Sequence, residues 1–347
     1  MYKVALVMIA RNEAARIVRA LASLRPHVDE MYVLDTGSTD ATVELARSAG
    51  ARVGRFRWVD DFAAARNAAL AAVDADWNLV VDADEWLLAG GPGLLELRHM
   101  PPDFVGSVRV DSQFDDGHRV GMSPSWMPRL LPAGVRYTGR VHEQPRHTLP
   151  VRRVELALGH DGYLGDALRA KRGRNRRLLA TSLRQSPRDP YLHYQLGKDH
   201  DVYGRWTDAA ASFARSRECE GPNGTLPAPG WHHDRAVREI HALKKCGRAT
   251  EAVPLAEAAM TRWPESPDVF FALGDLLLDW AAREPARAAE LLPMIESAWL
   301  HCLELGERPE NEGAVAGRGS HLAVHNLIVL YEGTGRDGDA LRLKQMS

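Results

Sequence analysis

Residues 77–85 read Trp-Asn-Leu-Val-Val-Asp-Ala-Asp-Glu, an apolar run that ends at two carboxylates spaced two residues apart. The run from Leu79 to Val81 is short, continuous and rich in β-branched residues, which predicts a buried strand of a parallel sheet. In an extended chain, alternate side chains point to the same side, so Asp82 and Asp84 can converge beyond the carboxyl end of this strand. Open α/β sheets bind their ligands at that edge. Two such oxygen donors suit Mg²⁺ or Mn²⁺, which usually take one or two carboxylates and substrate phosphates.

The residues before this stretch repeat a strand–helix pattern. Apolar runs predict strands at 4–10, 31–34 and 51–56, each followed by a helical pattern. The resulting β-α-β-α-β-α-β order is typical of a parallel, doubly wound sheet. No Gly-x-Gly-x-x-Gly follows the first strand, and Gly-x-x-x-x-Gly-Lys-Ser/Thr does not occur. A dinucleotide-binding fingerprint and a P-loop are therefore both disfavoured.

Composition excludes several classes of protein. The 347 residues suggest about two domains, and a net charge of -2 gives no reason to expect nucleic-acid binding. Cys219, Cys246 and Cys302 lie far apart, so a disulfide framework or zinc site is not expected and a cytoplasmic location fits. The first apolar run is too short for a signal peptide, and no run reaches the length that spans a membrane.

Residues 104–160 change in character and predict a smaller mixed sheet packed on the first. Its short strands are predicted at Val105–Val110, Trp126–Leu131, Arg136–Val141 and Val154–Leu158. A cationic cluster follows at Arg169–Arg177, with six Lys or Arg in nine residues. It predicts either a lid that grips a diphosphate or a basic surface helix that joins two domains.

From Pro187 onward the pattern becomes helical pairs. Small and apolar residues recur at the offsets of a tetratricopeptide unit. In the first copy they are Leu196, Gly197, Ala209, Phe213 and Ser216, and in the second Ile240, Leu243, Ala252, Ala256, Ala259 and Pro264. A third copy begins at Leu273-Gly274 and is degenerate or carries an insertion, and residues 321–343 form a fourth copy or a cap. Generic α-hairpins are the alternative interpretation.

A second polar turn resembles the first in its position. Asp35-Thr36-Gly37-Ser38-Thr39-Asp40 follows the second predicted strand, and Arg66 lies on the helix between the two turns. A carboxylate accepts a hydrogen bond from the N–H of a pyrimidine base, and a guanidinium pairs with phosphate. Together these residues predict a nucleotide cradle. Taken singly, each is also typical of a helix cap or a surface ion pair.

Residues 3–90 resemble glycosyltransferase family 2, the inverting enzymes with a GT-A fold. Five segments carry this resemblance: residues 8–13, Asp35–Asp40, Trp58 with Asp61-Phe62, Arg66-Asn67, and Asp82–Glu85. Later segments resemble the subgroup with carboxyl-terminal tetratricopeptide repeats, which includes the sublancin-type peptide S-glycosyltransferases. These segments are Arg129–Leu131, Gly139–Glu143, His160–Tyr163 and Lys171–Leu179. The resemblance covers roughly residues 1–185, and the repeats only in style.

The resemblance implies roles for several residues. Main chain around Ile9 to Arg11 would line a uridine, Asp35 would contact the base, and Arg66 would lie near the base or diphosphate. Asp82 would bind the ribose or the metal. Asp84 would bind a divalent metal, Mg²⁺ or Mn²⁺, and His142 would approach that metal or the diphosphate.

Transfer with inversion also needs a base for the acceptor's proton. Glu143, beside His142, is the first candidate. Asp111, Asp115 and Asp116 are rivals, in a predicted loop that could cover the acceptor. From the cationic cluster, Lys171 is the residue expected to grip the diphosphate. Glu85 is expected to serve the local turn.

These observations predict a GT-A domain at residues 1–165, a basic linker helix at 166–186 and tetratricopeptide-like repeats at 187–347. The predicted activity is metal-dependent, inverting transfer of a hexose from a UDP-sugar to a peptide or protein side chain (Cys, Ser or Thr). The repeats would hold that acceptor or join two copies of the chain as a homodimer. One alternative is a saccharide or small natural product as acceptor. Another is a non-catalytic scaffold that only binds the nucleotide sugar.

Overall fold

The computed structural model describes residues 1–115, 120–163, 173–221 and 230–346. The chain divides into two compact units, Met1–Ser182 and Leu183–Ser347. The helix Arg174–Gln185 crosses this division, within the stretch for which a basic linker was predicted. In the described ranges, no helix combines the length and the apolar character needed to cross a membrane.

The first unit is built on one eight-stranded mixed sheet. Its order is β3-β2-β1-β4-β7-β6-β10-β5. In chain order the strands are β1 Val4–Ala10, β2 Glu30–Asp35, β3 Arg52–Arg55, β4 Trp77–Val80, β5 Glu85–Ala89, β6 Val105–Asp115, β7 Val120–Pro132 and β10 Val151–Tyr163. A separate hairpin consists of β8 Arg136–Thr138 and β9 Gln144–Arg146.

The sheet changes direction at its centre. Strands β3, β2, β1 and β4 are all parallel, as the repeating strand–helix pattern predicts. Strand β7 then pairs antiparallel with β4, with Leu130 opposite Leu79 and Leu131 opposite Asn78. The carboxyl ends of β1, β2 and β4 therefore lie together, beside the point at which the direction reverses. Ligands bind at such switch points in open α/β sheets.

The prediction of a second, smaller sheet over residues 104–160 is wrong. Strands β6, β7 and β10 continue the first sheet, because Leu130 and Leu131 of β7 are as buried as the residues of β4 with which they pair. The loop predicted around Asp111 and Asp115 is also incorrect, since both residues lie on β6. Asp116 lies outside the described residues.

Helices cover both faces of the parallel half of the sheet. They are α1 Ile17–Leu24, α2 Thr42–Ser48, α3 Phe62–Ala71 and α4 Gly91–Glu96. On β1, Leu6 and Met8 share a buried cluster with Leu21 of α1, whereas Val7 belongs to a second cluster that includes Leu70 of α3. Alternate residues of one strand thus contribute to two apolar layers. Each fully buried Leu or Met contributes about 2 kcal/mol.

The second unit contains helical pairs around a single apolar cluster. After helix α5, Arg174–Gln185, which crosses the division, the helices of this unit are α6 Pro190–Val202, α7 Trp206–Glu220, α8 Trp231–Lys245, α9 Ala249–Arg262, α10 Pro267–Arg283, α11 Ala288–Leu305, α12 His321–Gly333 and α13 Asp337–Met346. Glycine allows close packing in two pairs. A Cβ atom at Gly197 would lie 2.4 Å from the Phe213 ring, and one at Gly274 would lie 2.4 Å from Nε1 of Trp299.

Candidate active site

The turn that joins β4 to β5 carries both carboxylates of the opening stretch. Strand β4 ends at Val80, and β5 begins at Glu85. The Glu85 amide donates to the Asp82 carbonyl at 3.0 Å, and the Asp82 amide donates to Glu85 Oε2 at 2.9 Å. Asp82 and Asp84 therefore lie in a turn, so the alternation rule for extended chains does not apply to them. As expected, Glu85 serves this turn.

Asp82 lies in a group of charges, here called the arginine cluster, formed by Arg66, Asp82, Glu85, Arg129 and Glu143. The Asp82 side chain is 31% exposed, whereas the other four side chains are 9% exposed or less. Arg66 Nη2 donates to Asp82 Oδ1 at 2.7 Å, and Arg129 Nη2 donates to Asp82 Oδ2 at 2.7 Å. Arg129 Nη2 also lies 2.7 Å from Glu85 Oε1. Arg66 Nε donates to Glu143 Oε1. Both oxygens of Asp82 are therefore held by guanidinium groups.

The electrostatics of this cluster follow from burial and pairing. Burial alone would raise the pKa of Asp82, but Arg129 and Arg66 outweigh it and hold that pKa well below its usual range. For Glu85 burial dominates, and its pKa is raised. Burial likewise raises the pKa of the neighbouring Tyr137 to about 12. Asp82 is therefore a carboxylate throughout the physiological range.

Polar atoms without a hydrogen-bond partner also lie in this region. Within the described residues, Arg66 Nη1, Arg129 Nε and the Tyr137 hydroxyl are buried and have no protein partner. The Arg66 guanidinium carbon lies 5.5 Å from the centre of the Tyr137 ring. Buried polar groups are nearly always paired with protein, water or ligand. These atoms therefore mark a place where water or a ligand oxygen completes the bonding.

Asp84 has a different neighbour. His160 on β10 places Nε2 3.5 Å from Asp84 Oδ2, and its Nδ1 lies 3.1 Å from the Ser112 hydroxyl on β6. The register of the sheet sets this arrangement, because His160 pairs with Glu85 on one side and with Ser112 on the other. A hydroxyl can donate or accept, so Ser112 is compatible with either tautomer of His160.

A cleft of about 390 Å³ opens beside the carboxyl end of β2. Asp35 accepts hydrogen bonds there from the amides of Gly37 (3.2 Å) and Ser38 (3.1 Å). The chain turns at Gly37 with a φ of 107°, a conformation that favours glycine. Asp35, Gly37, Ser38, Asp40, Val43, Glu44, Arg55, Phe56 and Arg57 line the cleft. It combines three carboxylates, an aromatic ring and two cations; a carboxylate and a ring suit a nucleoside base, and the two arginines suit its phosphates.

The segment after β1 is tied to this cleft. Asn12 has a φ of 56°, its amide donates to Ser38 Oγ at 2.9 Å, and its side-chain oxygen accepts from the Thr39 amide at 2.8 Å. These bonds fix the main chain that follows Ile9, which lies on β1, and Arg11, which is exposed. The segment predicted to line a uridine is thus joined directly to the Asp35 turn.

The remaining predicted site residues have varied positions. His142 lies in the β8–β9 connection with a φ of 52°, a left-handed conformation that is rare outside glycine. Asp111 is buried and pairs with Arg109 at 3.0 Å. Lys171 lies outside the described residues.

Sequence reasoning gave no role to Arg129 and His160. Both were noted only within segments that resemble the family subgroup. Their partners lie on β4, β5 and β6, so only the pairing of distant strands identifies them. An apolar strand interrupted by one arginine, as in Met127–Leu131, is the signal that could have drawn attention to Arg129.

Among the described residues, no group of three or more His, Cys, Asp or Glu side chains is arranged to hold a metal, so Asp84 offers a single carboxylate at this edge. A carboxylate is a preferred ligand of Mg²⁺ and Mn²⁺, which take further oxygens from substrate phosphates and water. Asp82 accepts from an arginine at each oxygen and its side chain is 31% exposed, so a ligand at Asp82 would share these oxygens with the two guanidinium groups.

The sheet with its switch point, acidic turn and nucleotide-sized cleft defines a GT-A type of α/β domain, as predicted. Residues 5–145 match the model of the family described as "Glycosyl transferase family 2". The chain thus carries a segment that is similar to glycosyltransferase family 2, which confirms the predicted resemblance for this region.

Two relatives extend the match beyond this domain. A TPR repeat-containing protein of Synechococcus elongatus is 36% identical over 210 residues, which are 57% of this chain and 52% of that protein. The SPbeta prophage-derived glycosyltransferase SunS of Bacillus subtilis is 28% identical over 202 residues, which are 55% of this chain and 48% of SunS. The chain thus covers about half the length of each relative.

Among solved structures, glucosyl-3-phosphoglycerate synthase from Mycobacterium tuberculosis, in complex with Mn²⁺, UDP and its product, is 28% identical. That match covers 33% of this chain and 45% of the other, with a TM-score of 0.26.

Proposed function

We propose that this protein is a metal-dependent, inverting glycosyltransferase that moves a hexose from a UDP-sugar to a peptide or protein side chain. The observation that carries this proposal is the position of the arginine cluster beside Asp84 at the switch point of a family 2 domain. Cations and a metal-binding carboxylate there are suited to a nucleoside diphosphate as leaving group. The cleft at Asp35 is suited to its base.

Each residue would contribute one part of the chemistry. Asp35 would accept from the base N–H, and Arg66 would donate to the diphosphate oxygens, on which negative charge grows as the sugar bond breaks. A divalent ion held by Asp84 would supply further positive charge to the same oxygens. Glu143 would take the acceptor's proton through Oε2, since Oε1 is bonded to Arg66. The acceptor then attacks from the face opposite the leaving group, which inverts the anomeric carbon.

The peptide acceptor rests on the helical unit. Helical pairs that stack on one another offer extended surfaces for peptides. The relative SunS is named a glycosyltransferase, and the other relative is named for its repeats. This combination of domains supports an acceptor larger than a monosaccharide.

The test of the donor reaction is release of UDP from a panel of UDP-sugars with Mg²⁺ or Mn²⁺. Asp84→Asn is expected to reduce turnover at least about 100-fold, because the metal loses its protein carboxylate. Asp103→Asn is the matched control, since Asp103 is exposed and lies far along the chain from the turn. Full turnover in the Asp84 variant would contradict the metal site.

The acceptor is tested separately, with synthetic peptides that contain a single Cys, Ser or Thr. Mass spectrometry would detect the addition of one hexose, and NMR of the product would give the anomeric configuration. Transfer to a saccharide but to no peptide would favour the alternative acceptor class.

A further inference from the structure

We propose that Arg129 is a positioning residue for the transfer reaction, because it holds Asp82, which in turn anchors Arg66 rather than serving as a metal ligand. This inference rests on the proposed function. It concerns the path Arg129–Asp82–Arg66, which ends at a guanidinium nitrogen that has no partner in the described protein.

First, the carboxylate of Asp82 is bonded to an arginine at each of its oxygens. Arg129 Nη2 donates to Oδ2 and Arg66 Nη2 donates to Oδ1, each at 2.7 Å. Both arginine side chains are only 7% exposed. A metal at Asp82 would compete with both guanidinium groups for the carboxylate, and a displaced arginine would keep only Glu143 or Glu85 as its counter-charge. The carboxylate is therefore committed to the arginines.

The second step is the closed ring of bonds around Arg129. Its Nη2 joins Asp82 Oδ2 to Glu85 Oε1, and the other Glu85 oxygen accepts from the Asp82 amide at 2.9 Å. One guanidinium nitrogen of Arg129 thus links the side chains of Asp82 and Glu85, and Glu85 links them to the main chain of the turn. Because Asp84 lies within this turn, Arg129 also stabilises the segment that carries the proposed metal ligand.

The third step is the orientation of Arg66. Asp82 holds its Nη2 and Glu143 holds its Nε, on two sides of the planar guanidinium. The remaining nitrogen, Nη1, is buried and has no partner in the described residues. A guanidinium fixed at two of its nitrogens presents the third in a defined direction, which suits a diphosphate oxygen. Without Arg129, Asp82 could rotate and Arg66 would lose this orientation.

The experiment compares Arg129→Met with Arg129→Lys in the full chain, by UDP release with saturating metal. Arg129→Met is expected to lower kcat by about 10- to 100-fold, less than direct loss of a transition-state donor, with KM for the acceptor unchanged. Arg129→Lys should recover most of the loss, because both contacts come from one nitrogen and an ammonium can supply both.

Asp82→Asn distinguishes an anchor from a ligand. Binding of Mn²⁺ in the presence of UDP, followed by electron paramagnetic resonance, is expected to stay within about twofold in Asp82→Asn and Arg129→Met, and to be lost in Asp84→Asn. The double variant Asp82→Asn/Arg129→Met should be no slower than the worse single variant, since residues that act as a unit are not additive.

Arg52→Met is the matched control, because Arg52 forms an arginine–glutamate pair with Glu30 at the far edge of the same sheet. Circular dichroism identifies variants that fail to fold, and Glu85→Gln then offers a milder change in the ring of bonds. If the wild type is active and Arg129→Met is equally active, the role of Arg129 is contradicted. Loss of Mn²⁺ binding in Asp82→Asn contradicts the role of Asp82. Either result leaves the proposed function standing. A wild type that releases no UDP from any UDP-sugar overturns the proposed function itself.

Discussion

At the scale of single residues, the site depends on which carboxylate meets which cation. Asp82 and Asp84 are two residues apart, yet one accepts from two buried arginines and the other lies 3.5 Å from a histidine. The tight turn closed by Glu85 separates them. Residue spacing predicted that both would belong to the site, and only the turn assigns them different partners.

Glu143→Gln separates two roles of Glu143. The amide oxygen of Gln can still accept from Arg66 Nε, but Gln cannot take a proton. With a serine-containing acceptor, kcat is expected to fall by about 100- to 10,000-fold while KM for the UDP-sugar changes little. Steady-state kinetics at saturating metal would measure this, with the exposed Glu96→Gln as control. A near-normal kcat in Glu143→Gln would contradict the role of Glu143 as the base, and its role would then be to hold Arg66.

His241 on α8 makes the stability of the helical unit dependent on pH. Burial, followed by the nearby cations Lys244 and Arg318, lowers the pKa of His241 to about 3. The unfolded chain, with a histidine pKa of about 6.5, binds the proton more tightly. Stability from the neutral ring is therefore complete above the unfolded pKa and declines as the pH falls towards 3. Between pH 8 and pH 5 this amounts to about 2 kcal/mol.

The substitution His241→Phe removes the titrating ring, and with it this pH-dependent contribution to stability. Urea unfolding followed by circular dichroism at the two pH values should show a smaller stability difference in this variant than in the wild type. The comparison isolates His241 from buried carboxyls whose pKa is raised by burial, such as Glu312 and Asp201, because those are unchanged. The exposed His325→Phe serves as control. Identical pH dependence in His241→Phe and the wild type would rule out this explanation.

At the scale of elements, local sequence patterns predicted the strands and helices of the first, parallel half of the sheet, whose packing partners lie nearby in the sequence. Strands β1 to β4 and helices α1 to α3 appear where apolar periodicity placed them. Strand β5 was not predicted, because Glu85–Ala89 is short and its partner is the distant β10. The place of β7 beside β4 was also missed, since no local signal distinguishes an edge of a second sheet from the centre of one sheet.

The helical pairs allow a test of their packing. Gly197→Ala would place a methyl group 2.4 Å from the Phe213 ring, so the helices α6 and α7 must move apart. Such overpacking is expected to lower the free energy of unfolding by about 1 to 3 kcal/mol, measured by urea titration. Gly333→Ala on α12 is the control, because its Cβ would meet no atom within 4 Å and helix propensity favours alanine. A Gly197 variant as stable as this control would show that the helices adjust without cost.

At the scale of the whole molecule, two units with separate cores divide the proposed tasks. The Asp35 cleft, the arginine cluster and Asp84 all belong to the first unit, whereas the helical pairs contribute none of these residues. The change to helical periodicity predicted that the repeats begin at residue 187, and this boundary stays a prediction. The acceptor could not be predicted in the same way, because it depends on surface shape and not on a motif.

A chain that ends at residue 186 tests the division of tasks. It retains the first unit, so UDP release in the absence of acceptor is expected to stay within about threefold of the full chain, whereas peptide transfer should fall at least about tenfold for lack of a capture surface. Circular dichroism and thermal unfolding would first verify that this chain is folded. Unchanged peptide transfer would mean that the helical pairs do not hold the acceptor.

The pairing of β5 with β10 has a consequence for synthesis on the ribosome. The turn that bears Asp82 and Asp84 leads directly into β5, whose hydrogen-bonding partner begins only at Val151. Until that segment emerges, β5 is an unpaired edge, and Arg129 of β7 has also to arrive before its bonds to the turn can form. Contacts between such distant segments slow folding and leave edges exposed. The growing chain is therefore expected to bind a ribosome-associated chaperone until β10 has been synthesised. Activity is expected only after that point in translation.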